Sequence, residues 1–341
     1  MPQKILIIKT GALGDIILSS VFFQTVKKNF PDAHIYIITK KIYNDLVGNY
    51  SIFKKIICLS NKFILDLIKV YPLKRKKFDI IFDLNGNLRT NFLSFFIGGG
   101  KKYGFYRTKL GKKFLTNGIN KKDIIEKNPI DRQFLLLNYL NISPENYVKV
   151  PKIYLNETDK KKFENFKREV GFDENYNWIA IHPLSSEKWK TKRWGIDRFA
   201  ELSDILIENG YKVVIIGDKN GVEYVNQIIE KMKYKPLNLV GKTNFTNLCF
   251  LLSNVKILIT GDSGPLHIGA ALGIRTLGLY GAFLPERHCP NLPNVSYIYK
   301  KVACSPCYKK KCDKMLCMKE IKVKDVLEYI FKERKHERDK L

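Results

Sequence analysis

The chain has no long apolar run. Its longest stretches, such as Phe92 to Gly98, are broken within a few residues, far short of the roughly 20 needed to cross a bilayer. No transmembrane helix is expected. No secretory leader is expected either, because only a four-residue apolar run precedes Lys9 and Gly11 and a leader needs a longer one. These absences lead us to expect a soluble, cytoplasmic protein. Acidic charge is scarce: 33 Asp and Glu face 60 Lys and Arg over 341 residues, a net +27. Residues 1–150 hold 26 basic against 10 acidic side chains, so the N-terminal half is the more basic. Such a field attracts nucleic acid, anionic lipid or phosphorylated substrates. Zinc-finger, RNA-recognition and helix-turn-helix patterns are missing as well, which turns the reading away from nucleic acid. Cysteines are few, and four of the seven fall at Cys304, Cys307, Cys312 and Cys317. Only the first pair has a metal-knuckle spacing, so free or structural thiols are favoured over a zinc or iron–sulfur site.

What is present alternates. Lys4 to Lys9 is an apolar run ending in a glycine turn, and Gly14 to Asn29 follows with helical spacing through Ile17, Val21 and Val26. Short β-type runs recur at His34 to Thr39, Ile56 to Leu59 and Phe78 to Leu84. After a Lys/Glu-rich helical stretch at 156–177, a second series has strand candidates at Trp178 to His182, Lys212 to Gly217, Leu237 to Val240, Val255 to Thr260 and Thr276 to Tyr280. Helical segments are expected between them at Trp194 to Asn209, Gly221 to Lys233, Asn244 to Ser253 and Pro265 to Leu272. This order predicts an α/β chain of two Rossmann-like, doubly wound domains, 1–155 and 156–322, facing across a cleft, with a C-terminal helix and charged tail at 323–341 frayed beyond Lys332. Ligands in such sheets sit beyond the carboxyl ends of the strands.

Three loops could carry chemistry. The turn Lys9-Thr10-Gly11-Ala12-Leu13-Gly14-Asp15 looks like a dinucleotide fingerprint but lacks the third glycine and opens its helix with a carboxylate. A phosphate about 4 Å from Asp15 would cost on the order of 4 kcal/mol at an effective dielectric near 20. Asp15 therefore either complements the helix dipole or accepts a proton from a hydroxyl. The run from His182 to Trp194 combines the hydroxyls of Ser185 and Ser186 with four cations, of which Lys192 and Arg193 stand next to a helix start. Those are groups a departing diphosphate requires. In Thr260-Gly261-Asp262-Ser263-Gly264-Pro265-Leu266-His267, Pro265 suits the first turn of a helix, so the amides of Ser263 and Gly264 form an anion site. Asp262 is assigned to sugar hydroxyls, and His267 reads either as a core histidine or as a donor contact. Glu223, beyond the strand at Lys212 to Gly217, is a candidate for ribose hydroxyls.

In order and spacing, the run from Ile5 to Ile16, the triplet Lys192-Arg193-Trp194 after a His-Pro strand end, and the run from Gly261 to Gly273 resemble glycosyltransferase family 9, the ADP-heptose lipopolysaccharide heptosyltransferases. The likeness spans residue 4 to about 330, including Cys304-Ser305-Pro306-Cys307 and Cys317-Met318-Lys319-Glu320-Ile321. It implies a GT-B architecture and inverting transfer from a nucleotide diphosphate sugar to the inner core of lipopolysaccharide. It also implies peripheral contact with the inner face of the inner membrane and no nucleic-acid partner. By that resemblance Asp15 is the general base, Gly11 and Gly14 border the acceptor, and Lys192 neutralises the diphosphate. Ser263 and Gly264 hold phosphate, Asp262 meets the transferred sugar, Glu223 the ribose, and Ser185, Ser186, Arg193 and His267 complete the donor site. No cofactor is implied, and without an Asp-x-Asp motif a chelated metal is not required. The stretch from 60 to 130, which should shape the acceptor pocket, is Lys-rich and matches nothing in the family pattern. The alternatives are a nicotinamide oxidoreductase, which explains the first turn alone, and a nonenzymatic polyanion binder, which explains only the charge.

Overall fold

The computed structural model describes residues 2–60 and 62–338. The chain divides into two compact units, 1–155 and 156–341. The first is a six-stranded parallel sheet of β1 (Lys4–Ile8), β2 (His34–Lys40), β3 (Phe53–Leu59), β4 (Ile80–Asp83), β5 (Lys101–Tyr106) and β6 (Asn117–Asn120), in the order β3-β2-β1-β4-β5-β6. In the second, β7 (Trp178–His182), β8 (Lys212–Ile215), β9 (Leu237–Asn238), β10 (Ile257–Gly261), β11 (Thr276–Tyr280) and β12 (Val295–Tyr299) run in the order β12-β11-β10-β7-β8-β9. Each sheet is Rossmann-like and doubly wound. The central strands are unbroken apolar runs because both faces are covered by helices: Ile5 to Ile8 and Ile179 to Ile181 are almost wholly inaccessible.

The principal helices are α1 (Leu13–Asn29), α2 (Phe63–Val70), α3 (Leu88–Ile97), α4 (Lys109–Lys113), α5 (Glu157–Val170), α6 (Ile196–Glu208), α7 (Val222–Glu230), α8 (Phe245–Ser253), α9 (Gly264–Leu272) and α10 (Val323–Arg338). Among the described residues no helix is long and apolar enough to cross a membrane. Helix α1 is buried on nearly all sides although it holds Ser19, Ser20 and Thr25. Their hydroxyls are satisfied locally and across the unit: Thr25 Oγ1 donates to the Val21 carbonyl at 2.7 Å, while Ser20 Oγ and Thr25 Oγ1 accept from the Lys152 and Val148 amides, each at 2.9 Å. Segment 143–155 is thereby tied back over α1.

Several elements depart from the sequence reading. Strands β5, β6 and β12 were not expected, β8 and β9 are shorter than their apolar runs, and β3 begins at Phe53 rather than Ile56. Helix α10 continues past Lys332 to Arg338, and residues 339–341 lie outside the described residues. Val326 and Ile330 of α10 bury themselves in the same core as Leu206 of α6, and Trp194 Nε1 donates to the Ile321 carbonyl at 2.9 Å, so the C-terminal helix is an integral part of the second unit.

Candidate active site

In each sheet the strand order reverses once, and there the loops beyond two neighbouring strands part to opposite sides and leave a crevice. In the first unit this point lies between β1 and β4, which pair with Ile8 opposite Asp83. The loop after β1 carries Thr10 and Gly11 into α1, whose first turn holds Asp15. A Cβ on Gly11 would meet Asp15 Oδ2 at 3.1 Å, so this position lets the loop lie close under the carboxylate. The loop after β4 supports it: Asn85 Oδ1 accepts from the Thr10 amide at 2.9 Å, and its Nδ2 donates to Thr10 Oγ1. Asn85 is in turn set by Asp83, which accepts from the Asn85 amide at 2.9 Å, the Gly86 amide at 3.2 Å and Asn91 Nδ2 at 2.7 Å. Burial pushes the Asp83 carboxyl up to about 6, against the pull of the Thr90 side chain, the Asn85 and Gly86 amides and Lys121.

Two adjoining cavities open here, of about 520 and 380 Å³, and Lys9, Asp15, Arg107 and Lys121 border both. Lys40, Arg89, Tyr43, Ser60 and Thr90 complete the larger one, and Arg132 lines the smaller. Asp15 is the one carboxylate among the lining residues. Burial lowers Lys121 to about 8, helped by repulsion from Lys9 and Arg107 and opposed by Asp15 and Asp83. Burial also lowers Arg132, against the attraction of Asp15. A carboxylate ringed by cations in a concave site suits an anionic molecule that presents a hydroxyl. Gly14, in α1, is buried.

In the second unit the reversal falls between β7 and β10, with His182 opposite Thr260. That register joins the two loops the sequence had singled out. His182 Nδ1 lies 3.1 Å from Thr260 Oγ1 and 3.2 Å from Ser263 Oγ, and the two hydroxyls are 2.8 Å apart. Burial drops the His182 imidazole to about 4, so it is neutral at pH 7. Ser263 caps α9 from extended backbone without using its side chain on the helix, which leaves the first-turn amides, including that of Gly264, without intrahelical partners. Lys192 Nζ donates to Asp262 Oδ2 at 2.6 Å and stands 4.1 Å above the Phe283 ring. His288 Nδ1 approaches the same Asp262 oxygen at 3.8 Å.

Of the other donor candidates, Ser185 is buried and its hydroxyl donates to the Trp189 carbonyl at 2.9 Å. Ser186 is exposed. Arg193 pairs with Glu187 and stacks on Tyr224 at 4.7 Å from the ring centre. Glu223 is exposed in the first turn of α7, and His267 is half-buried within α9. Thus Lys192, Asp262, Ser263 and Gly264 are brought together, while Arg193 and Glu223 stand on flanking elements. The sequence reading gave Lys192 and Asp262 separate tasks and did not anticipate their ion pair. It also missed Arg107, Lys121, Arg132 and Phe283, and gave no task to His182 or Thr260 although both stand in the loops it singled out. Burial raises the Cys317 thiol, and charge on Cys307, Cys304 and Cys312 adds to it. Among the described residues, no three His, Cys, Asp or Glu side chains are placed as a metal-ligand set.

Comparison with known proteins supplies the family. Residues 69–317 match the profile of glycosyltransferase family 9 (heptosyltransferase). The chain is 26% identical to the lipopolysaccharide core heptosyltransferase OpsX of Haemophilus influenzae over 313 residues, covering 89% of this chain and 86% of the relative. Among solved structures it resembles a family 9 glycosyl transferase from Veillonella parvula, with a TM-score of 0.82, 23% identity, and 96% and 95% of the two chains covered. It also resembles Escherichia coli ADP-heptose lps heptosyltransferase II, with a TM-score of 0.78, 21% identity and coverage of 96% and 97%. These likenesses show the GT-B fold class. The chain belongs to glycosyltransferase family 9, the heptosyltransferases.

Proposed function

We propose that this glycosyltransferase moves a heptose from ADP-heptose to a hydroxyl of the lipopolysaccharide inner core, with inversion, at the inner face of the inner membrane. The observation that carries this reading is Asp15, the one carboxylate lining a cation-rich cavity at the reversal point of the first sheet. The names of the relatives, which act in lipopolysaccharide core synthesis, support the acceptor, and the ADP-heptose in the name of one structural neighbour supports the donor.

In this mechanism Asp15 takes the proton of the acceptor hydroxyl as that oxygen attacks the anomeric carbon from the face opposite the diphosphate. The bond from the anomeric carbon to the diphosphate oxygen breaks, and the negative charge left on ADP is met by Lys192 and the amides of Ser263 and Gly264. Asp262 holds Lys192 until the donor arrives and then meets the sugar. Glu223 accepts from the ribose, while Ser185, Ser186, Arg193 and His267 border the nucleotide side, and Gly11 and Gly14 keep the acceptor's approach to Asp15 open. Lys9, Arg107 and Lys121, which border both cavities, hold the anionic acceptor core.

The test is transfer to heptose-free lipooligosaccharide, followed by mass spectrometry and by NMR of the new anomeric centre. Asp15→Asn should cut kcat by about 10²–10⁴-fold while ADP affinity, read by calorimetry, stays within about twofold of wild type. Turnover unchanged in Asp15→Asn removes the base role. Tight NAD binding without a response to ADP would overturn the whole reading in favour of an oxidoreductase.

A further inference from the structure

Helix α2 sends Val70 and Leu67 to the core but otherwise breaks the ordinary pattern. Its sequence, Phe-Ile-Leu-Asp-Leu-Ile-Lys-Val, would by ordinary patterning turn its carboxylate to solvent and its isoleucines to the core. Instead Asp66 is wholly buried, accepting from the Ser60 amide at 2.6 Å and the Ser60 hydroxyl at 2.9 Å and pairing with Arg89. Ile64 and Ile68, one turn apart on one stripe, are 73% and 64% exposed. Leu65 and Tyr71 are exposed beside them, as are Phe95 on α3 and Leu110 on α4.

Ring contacts tie α2 and the turn after it to α3, and α3 to Phe114 just after α4. Phe63 meets Phe92 with ring centres 5.8 Å apart, Tyr71 meets Phe96 at 6.5 Å, and Phe95 meets Phe114 at 5.3 Å. Contiguous exposed apolar surface marks an interaction site. Its surroundings carry one sign of charge. Residues 62–77 hold six Lys or Arg and a single acid, Asp66, which is consumed inside; from Leu84 to Lys122 there is no Asp or Glu at all. Lys74 lies along the apolar edge, its ammonium 4.7 Å above the Phe96 ring. Apolar side chains rimmed by lysines fit the boundary between acyl chains and anionic headgroups. A second copy of the same face would set cation against cation. The face also runs into the larger cavity, because Leu59 and Ser60 precede α2, Arg89 and Thr90 open α3, and all four line that cavity.

We propose that α2, the turn Tyr71–Lys76, α3 and α4 seat the first unit on an anionic lipid bilayer. A lipid-anchored acceptor then enters the Asp15 cavity from the membrane plane. This rests on the lipopolysaccharide reading above and names the surface it uses. The full chain should float with vesicles of phosphatidylcholine plus phosphatidylglycerol and not with phosphatidylcholine alone. Ile64→Asp with Ile68→Asp should weaken that partition at least about tenfold. Arg75→Glu with Lys76→Glu should weaken it by about fivefold per basic residue lost. Both double variants should keep wild-type turnover on a deacylated, water-soluble acceptor. Wild type that ignores phosphatidylglycerol, or variants that partition like wild type, overturn the proposal. So does an isoleucine variant that changes only the sedimentation of the chain, since the face would then join two copies. Normal vesicle binding with no transfer to the deacylated acceptor upholds the surface and defeats the functional reading instead.

Discussion

Lys192 and Asp262 illustrate how much one contact decides. Both side chains are largely buried, so removing either leaves the other as an uncompensated charge, a change that costs about 3–5 kcal/mol in buried pairs. Lys192→Met should therefore lower both thermal stability and ADP affinity. Asp262→Asn should separate the two effects: it frees the ammonium and removes a negative neighbour of the diphosphate, so ADP should bind more tightly in calorimetry while kcat falls. Unchanged ADP affinity in Asp262→Asn would mean that the carboxylate does not compete for Lys192. His182 makes a second prediction. Its folded-state value, about 4, lies below the ordinary 6.5, so between those values the unfolded chain binds more protons and stability falls as pH falls. The loss amounts to about 3 kcal/mol by pH 4. His182→Gln should flatten that part of the stability-against-pH curve, measured by denaturant titration.

Helix α9 was legible as an element down to its packing. The run Gly269-Ala270-Ala271 predicts a close approach to the sheet, and a Cβ on Gly269 would lie 2.3 Å from Thr276 Oγ1 and 3.1 Å from Leu258 Cδ2. Gly269→Val should push the helix off β11, destabilising the chain by about 1–3 kcal/mol and loosening ADP by displacing the Ser263 end. Strand β1, helix α1 and the loops after β1, β7 and β10 were equally readable, because apolar runs and glycine turns are local signals. Strands β5 and β6 were not. Lys101 and Lys102 occupy the start of β5, and β6 is the four residues Asn-Gly-Ile-Asn at a sheet edge, so neither shows a β pattern. Their carboxyl ends deliver Arg107 and Lys121 to Asp15, and a side chain whose role depends on strand register two or three strands away has no local signature. Lys121 offers a check on that delivery: with its value lowered to about 8, the cavity loses a cation as pH rises through that point. The KM for the anionic acceptor should rise above pH 8 with kcat little changed, and Lys121→Ala should show the raised KM already at pH 7.

At the scale of the whole molecule, each unit has its own buried core, one around Leu6, Ile38 and Ile81 and another around Ile181, Leu206 and Leu279. The proposed mechanism divides its two chemical tasks in the same way, proton acceptance in the first unit and charge neutralisation in the second. Hydrogen exchange with saturating ADP should therefore slow the amides at residues 183–193 and 262–266 well before those at 84–90; equal protection of all three segments would contradict the division. The parallel placement of both sites at strand-end loops has a further consequence for descent. Loop residues can be replaced without disturbing strands whose side chains are locked in a core, so a lineage can rewrite the loops after β1, β4, β5 and β6 to greet a new glycan while the loops proposed to meet the nucleotide, after β7 and β10, are inherited untouched. Duplicated copies would then diverge unevenly, and the pace of change along the gene would itself record which partner, sugar donor or surface polymer, was being exchanged.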